Sequence, residues 1–167
     1  MAAPKIEAPA IEIAPLPPGF DRWEELLGLI ARAFAHMDGV IDPPSSAQRL
    51  TPQALAEKCA AETVFIATAG SGLAGCVFLA DRGDRLYIGK LAVEPALQGR
   101  GIGRRLVQVA EAEAVRRGRG MLELQTRIEL TGNHAAFARL GFAETGRTAH
   151  EGFSRPTSIT MRKELGA

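Results

Sequence analysis

The sequence predicts an α+β fold, a mixed sheet covered by helices, and three observations predict it. Short β-rich apolar runs follow one another through the middle of the chain with glycine turns between them. A strand–helix–strand crossover comes late. A hydrophobic content of 46% in 167 residues is enough for one core and too little for two ordinary domains.

The first strand is expected around Ile11 and Ile13, at a sheet edge, because Pro15, Pro17 and Pro18 remove amide donors and fix φ. Asp21 with Glu24 three residues on spells a capping box, and Trp23, Leu26, Leu27, Ile30 and Phe34 recur at helical spacing up to about Ala35. Residues 36–46 (HMDGVIDPPSS) read as a loop. Thr51-Pro52 then opens a second helix, threonine as the cap and proline in the first turn. Residues 63–69 (TVFIATA) and 73–80 (LAGCVFLA) predict a hairpin about Gly70-Ser71-Gly72, and residues 85–93 (RLYIGKLAV) a third antiparallel strand. A helix over 101–117 carries Ile102, Leu106, Val109 and Ala110 on one stripe and stops at Gly118. Residues 120–128 are the next strand, after which Thr131 is expected to cap a short helix with Ala136, Phe137 and Leu140, closed by Gly141. Residues 142–150 and 157–163 form a last hairpin.

Charge and composition exclude several function classes. Twenty Lys plus Arg against nineteen Asp plus Glu leave a net charge of +1, without the excess that draws a protein to nucleic acid or anionic lipid. No apolar run approaches the roughly 20 residues that cross a bilayer. The first residues interrupt their apolar positions with Pro4, Glu7, Pro9 and Glu12, unlike a secretory signal, so a cytoplasmic protein is expected. Cys59 and Cys76 are spaced like neither a zinc site nor a redox pair and are expected as buried free thiols, with no metal. Residues 1–8 are read as a flexible extension and 9–167 as a single domain.

The strand at 87–93 runs through Glu94-Pro95-Ala96-Leu97 into Gln98-Gly99-Arg100-Gly101-Ile102-Gly103-Arg104-Arg105, and a helix follows at once. Glycines on alternate positions let a ligand approach the backbone, and the first amides of a helix have no internal acceptor and stand at the positive end of its dipole. This is a phosphate cradle, or else a plain turn with solvated arginines. No Gly-Lys-Ser/Thr of a Walker loop occurs in the chain. A dinucleotide fingerprint would need glycine where Arg104 or Leu106 stands. Glu123 lies where that fingerprint's ribose acid would be, but within a strand of antiparallel surroundings.

Q-G-R-G-I-G, preceded by K-L-A-V-E-P and followed by R-R-L-V, resembles the acyl-coenzyme A motif of the GNAT N-acetyltransferase superfamily, and N-H-A-A-F-A-R-L-G-F resembles that family's Asn, helix and Gly-Phe segment. The resemblance implies αβα layers: about seven strands, mostly antiparallel and with a splayed pair, flanked by about four helices. It implies acetyl-CoA as co-substrate and acetyl transfer to a primary amine of a small molecule or peptide, by direct attack through a tetrahedral intermediate. The alternative is a non-catalytic acyl-CoA sensor or regulatory domain. The implied cofactor contacts are Leu91, Ala92 and Val93 by their backbone, the loop Gln98, Gly99, Arg100, Gly101, Ile102, Gly103 and Arg104, then Asn133 and Phe137. Asn133 serves equally well as a helix cap. A homodimer is allowed by family analogy alone.

Three chemical needs follow: deprotonation of an ammonium, stabilisation of an oxyanion and departure of a thiolate. A backbone amide of Leu91 or Val93 serves the oxyanion. The tyrosine that the family commonly uses as acid falls at Phe137, leaving His134, His150 and Ser154 as nearby replacements or as plain surface residues. Glu123 is a base relay or a solvated edge carboxylate. Tyr87 is placed on the acceptor wall, or else is a core tyrosine, and His150 is also expected to contact the acceptor. The resemblance places the loop after the first helix, with His36, Asp38 and Asp42, along the acceptor cleft, where its acidic residues either suit a cationic amine or are simply a solvated loop.

Overall fold

The computed structural model describes residues 2–3 and 9–166, so most of the N-terminal extension expected over residues 1–8 lies outside the described residues. In chain order the elements are β1 (Ile11–Pro15), α1 (Trp23–Phe34), α2 (Pro52–Ala61), β2 (Thr63–Ala69), β3 (Gly72–Asp81), β4 (Leu86–Val93), α3 (Ile102–Arg116), β5 (Met121–Arg127), α4 (Thr131–Arg139), β6 (Ala143–Thr148) and β7 (Ser158–Glu164). The strands form one seven-stranded sheet in the order β1-β2-β3-β4-β5-β7-β6. Every pairing is antiparallel except β4 with β5, which are parallel because α3 returns the chain between them.

Two apolar clusters sandwich the sheet. On one face Leu26, Leu29 and Ile30 of α1 and Leu55 of α2 pack on Val64, Ile66, Cys76, Phe78 and Ala92; on the other, Ile102, Leu106, Val107 and Ala110 of α3 pack on Val77, Leu79, Leu86, Ile88, Leu122 and Leu124. β3 is covered on both faces, which is why its sequence reads as a continuous apolar run rather than an alternation. Gly75 lets α3 cross closely, since a Cβ there would stand 2.8 Å from the Ala92 carbonyl oxygen and 3.1 Å from Leu106 Cδ1. Cys76 is buried and Cys59 half-buried; both are free thiols, which burial pushes up to about 12 and about 11 respectively.

Thr51 caps α2 as expected, its hydroxyl accepting from the Ala54 amide at 3.1 Å. Three local expectations are corrected. Arg22 rather than Asp21 precedes the first turn of α1, and no side chain caps it: a guanidinium has no acceptor for the free amides and donates to Glu25 and to the Ser71 carbonyl. Thr131 lies inside the first turn of α4 behind an uncapped Leu130. Val107 rather than Val109 completes the buried stripe of α3, which faces two strands and so buries a wider arc than one row.

The feature that positions a site is where pairing stops. β4 and β5 pair only over Leu86↔Leu122, Tyr87↔Glu123 and Ile88↔Leu124. Beyond Ile88 the register of β4 against β3 slips, Leu79 facing Ile88 and Phe78 facing Lys90, so Gly89 is the extra residue of a bulge. The bulge bends β4 away from β5 and resets its alternation. Leu91 and Val93 then continue the α3 face begun by Leu86 and Ile88, while Lys90 and Ala92 share the opposite face with Tyr87.

Candidate active site

Two cavities meet where β4 and β5 part. One, of about 570 Å³, is walled by Leu91, Ala92 and Val93, by Gln98, Gly99 and Gly101 to Arg104, and by Asn133, Phe137 and Arg139. The other, of about 290 Å³, lies between Tyr87 to Leu91 on β4 and Leu124 to Arg127 on β5, closed by Ser45, Ser46 and His150 from neighbouring loops. Phe34, Met37, Leu91, Asn133 and Phe137 border both.

The first cavity is walled by unanswered backbone. The Glu94 amide donates to the Ala74 carbonyl of β3 at 2.8 Å. Alternation then turns the Ala92 backbone toward β3 and aims the N–H and C=O of Leu91 and Val93 into the gap, where β5 no longer pairs. An extended chain laid there would find the partners a neighbouring strand would offer.

At the end of β4 the chain turns through Gly99 (φ 86°) and Gly101 (φ 76°), left-handed conformations that glycine adopts without strain. No side chain caps α3, and the bond closing its first turn is Arg105 N–H to Gly101 O at 3.0 Å. The amides of Ile102, Gly103 and Arg104 therefore have no acceptor in the helix, at its positive end. Arg104 and Arg139 stand on the wall with no ion pair among the described residues. Arg100 is exposed and lines neither cavity, because the turn aims it outward.

The residues expected to carry proton transfer are mostly elsewhere. Glu123 is only 4% exposed, yet it lines neither cavity. Its register is opposite Tyr87, before the strands part, and arginines close over it: Arg162 Nε at 2.7 Å, Arg85 Nε at 3.1 Å and Arg82 Nη1 at 3.3 Å. Neither the relay nor the solvated edge carboxylate fits; Glu123 is a buried ion-pair hub. His134 lines neither cavity, its Nε2 lying 2.9 Å from the Arg127 carbonyl oxygen. Ser154 is exposed in the last hairpin loop and lines neither.

Phe137 borders both cavities, set edge-to-face on Phe142 with centroids 5.8 Å apart. Tyr87 lines the second cavity with the Arg82 guanidinium 3.8 Å over its ring, and burial pushes its phenol pKa upward. His150 lines it too, Nδ1 at 2.5 Å from Thr157 Oγ1, and burial holds the imidazole below its ordinary pKa. His36 reaches the first cavity instead of the second, its Nδ1 3.0 Å from the Ala33 carbonyl oxygen. Asp38 accepts from Gln48 Nε2 at 2.7 Å and Asp42 pairs with Arg155 at 3.4 Å; neither reaches a cavity. The acidic face expected of that loop therefore turns to solvent.

Lys90, Gln125 and Arg127 on the second cavity and Arg139 on the first escaped the sequence reading. A glycine inside a strand pattern, Gly89, was the available signal: a bulge there re-aims the next side chain, Lys90, into the gap.

A family model described as the acetyltransferase (GNAT) family matches residues 23–142, and the chain belongs to that family. No curated protein matches it. Among solved structures it is similar to PaiA N-acetyltransferase from Thermoplasma acidophilum in complex with coenzyme A, at 17% identity and TM-score 0.75 over 93% of this chain and 99% of that one. It is similar to the ribosomal-protein-S18-alanine N-acetyltransferase from Escherichia coli, at 20% identity and TM-score 0.72 over 95% and 96% of the two chains. A GNAT family acetyltransferase from Elizabethkingia anophelis with acetyl-CoA bound gives 18% identity and TM-score 0.66 over 93% and 98%. Among the described residues no helix is long and apolar enough to cross a membrane.

Proposed function

We propose that the protein is an acetyl-CoA dependent N-acetyltransferase acting on a primary amine of a small molecule or peptide. The observation that carries this reading is the free edge of Leu91 and Val93, continuous with the uncapped start of α3 along one cavity. That wall fits acetyl-CoA part by part. The amides of residues 102–104, with Arg104 and Arg139, suit the phosphates; Leu91, Val93 and Asn133 suit the amide-bearing arm. The Thr126 hydroxyl, buried at the gap without a partner, is one more polar atom that an inserted chain can answer.

Acetyl-CoA supplies an activated acyl carbon and a thiolate leaving group. The Leu91 or Val93 amide, aimed into the gap, holds the oxyanion as it develops. Leu91, Asn133 and Phe137 form the passage between the cavities, so an amine in the second reaches a thioester in the first. Among the described residues no Asp or Glu lines the second cavity, so the ammonium proton leaves to water, directly or by way of the His150 imidazole on the same cavity. Phe137 excludes water and donates no proton. A thiol of pKa near 8.5 leaves unaided, more slowly than with an acid.

The test is calorimetric titration with acetyl-CoA, followed by a thiol-release assay over polyamines, aminoglycosides, amino acids and lysine peptides. Binding with release is expected; no binding at millimolar concentration would sink the proposal. The sensor reading draws on Phe137 and on the absence of a lining carboxylate, and predicts binding with no release for any amine.

A further inference from the structure

The second cavity has a charge character that its acceptor must match. Lys90 on β4 and Arg127 on β5 stand on the same face of the sheet, one on each side of the gap. Lys90 is paired in register with Phe78 of the α1/α2 cluster, and Arg127 follows Glu123 and Gln125 on the face that Glu123 shares with Tyr87. Both line the cavity, and among the described residues no Asp or Glu does. Neither forms an ion pair among the described residues: the nearby Lys58 is paired with Glu62 at 2.5 Å, and Asp42 with Arg155 at 3.4 Å.

Arg127 is only half answered. Its Nη2 donates to the Pro44 carbonyl at 3.3 Å, while its Nη1 is buried with no hydrogen-bond partner. The buried Glu129 Oε1 is likewise unpartnered, its Oε2 accepting from the Asp42 amide at 2.8 Å, so this carboxylate does not close on Arg127. Burial pushes the pKa of both Lys90 and Arg127 downward, outweighing the opposing pull of Glu62 on Lys90 and of Glu129 and Asp42 on Arg127, none of which closes to an ion pair with them. Arg85 Nε, the remaining unpartnered buried nitrogen, has Glu123 Oε2 at 3.1 Å and needs no ligand. Two unpaired cations facing one small cavity call for an anion.

We infer that the acceptor is an amine that also carries an anionic group, a carboxylate or a phosphate, which seats between Lys90 and Arg127 while the amine points through the Leu91 and Phe137 passage. This rests on the acetyltransferase reading and narrows its substrate class. In the transfer the amine nitrogen bonds to the acyl carbon and the C–S bond breaks. Of the two protons the ammonium gives up, one goes to the thiolate and one to water.

The experiment measures thiol release and calorimetric acceptor binding, in the presence of coenzyme A, for matched amines: amino acids, amino-sugar phosphates, their amides or dephosphorylated forms, and polyamines. Anionic members are expected to be preferred, with carboxylate and phosphate arms separating the two sources. Arg127→Gln and Lys90→Gln should each raise KM for the preferred acceptor about 30-fold or more. Arg127→Lys should recover part of the loss, with acetyl-CoA affinity within twofold throughout and unchanged circular dichroism. Equal or better use of polyamines overturns the inference and leaves the acetyltransferase standing. So does an absence of both binding and turnover across the anionic members. Failure of acetyl-CoA itself to bind overturns the underlying function instead.

Discussion

Replacing Gly75 by alanine tests whether the close approach of α3 to the sheet holds the free edge of β4 in place. The added Cβ meets the Ala92 carbonyl oxygen at 2.8 Å, Leu106 Cδ1 at 3.1 Å and Ile102 Cγ2 at 3.4 Å. The Leu106 methyl can turn aside, but the carbonyl belongs to the residue between Leu91 and Val93 and retreats only if β4 moves. Overpacking of this kind costs about 1–3 kcal/mol, against about 0.4–1 kcal/mol gained from a stiffer unfolded chain. The net loss then lies between about 0 and 2.6 kcal/mol, and the unyielding backbone carbonyl places it in the upper half, about 1.5–2.5 kcal/mol. Because the displaced atoms flank the edge and the first turn of α3, acetyl-CoA affinity should fall about tenfold. Urea unfolding should show a lower midpoint at unchanged slope, and calorimetry the weaker binding. Gly120→Ala, whose Cβ meets nothing within 4 Å, is the control. A Gly75→Ala protein as stable and as tightly binding as the parent would refute the argument.

Gly101→Glu puts a carboxylate where phosphates are expected and should abolish acetyl-CoA binding by calorimetry. Gly101→Ala carries only the strain of φ 76°, about 1–2 kcal/mol, and should still bind. Phe137→Tyr restores a proton donor and is expected to raise kcat by up to roughly 10²–10⁴ in the thiol-release assay; no change or a loss would say that another group protonates the thiolate. Glu113, held by Arg116 at 2.5 Å and Arg117 at 2.7 Å, has its carboxyl lowered to about 2. A lowered folded pKa means this stabilisation is fully present above the unfolded value near 4.5 and is lost as pH falls toward 2. Allowing for the solvent-exposed Arg116, the contribution is about 2 kcal/mol. Chemical unfolding of Glu113→Gln should show that loss at pH 7 and a flatter acid limb than the parent.

Much of the fold was legible because its signals are local. Thr51-Pro52 and the Gly70-Ser71-Gly72 turn are settled by a few adjacent residues, and the structure places elements at each. Misreadings arose where a local preference met a distant partner. Asp21 had the spelling of a cap, but the helix starts one residue later, behind an Arg22 whose guanidinium reaches the Ser71 carbonyl in the β2–β3 turn. Glu123 read as a relay or an edge carboxylate because the arginines that bury it, Arg82, Arg85 and Arg162, come from elsewhere in the chain. The glycine motif at 98–103 could be read with its wall intact, since a strand, a turn and a helix start are contiguous in sequence.

The sequence by itself determined the apolar periodicities, the glycine turn and the absence of tyrosine at position 137, all properties of residues near one another along the chain. Tertiary structure alone decided where β4 leaves β5, that the bulge at Gly89 turns Lys90 into the gap, and that Lys90 and Arg127 face one cavity while Asp38 and Asp42 face solvent. The reason is physical: which face a strand residue takes depends on the register with its neighbours, and one extra residue in a ladder reverses every side chain beyond it.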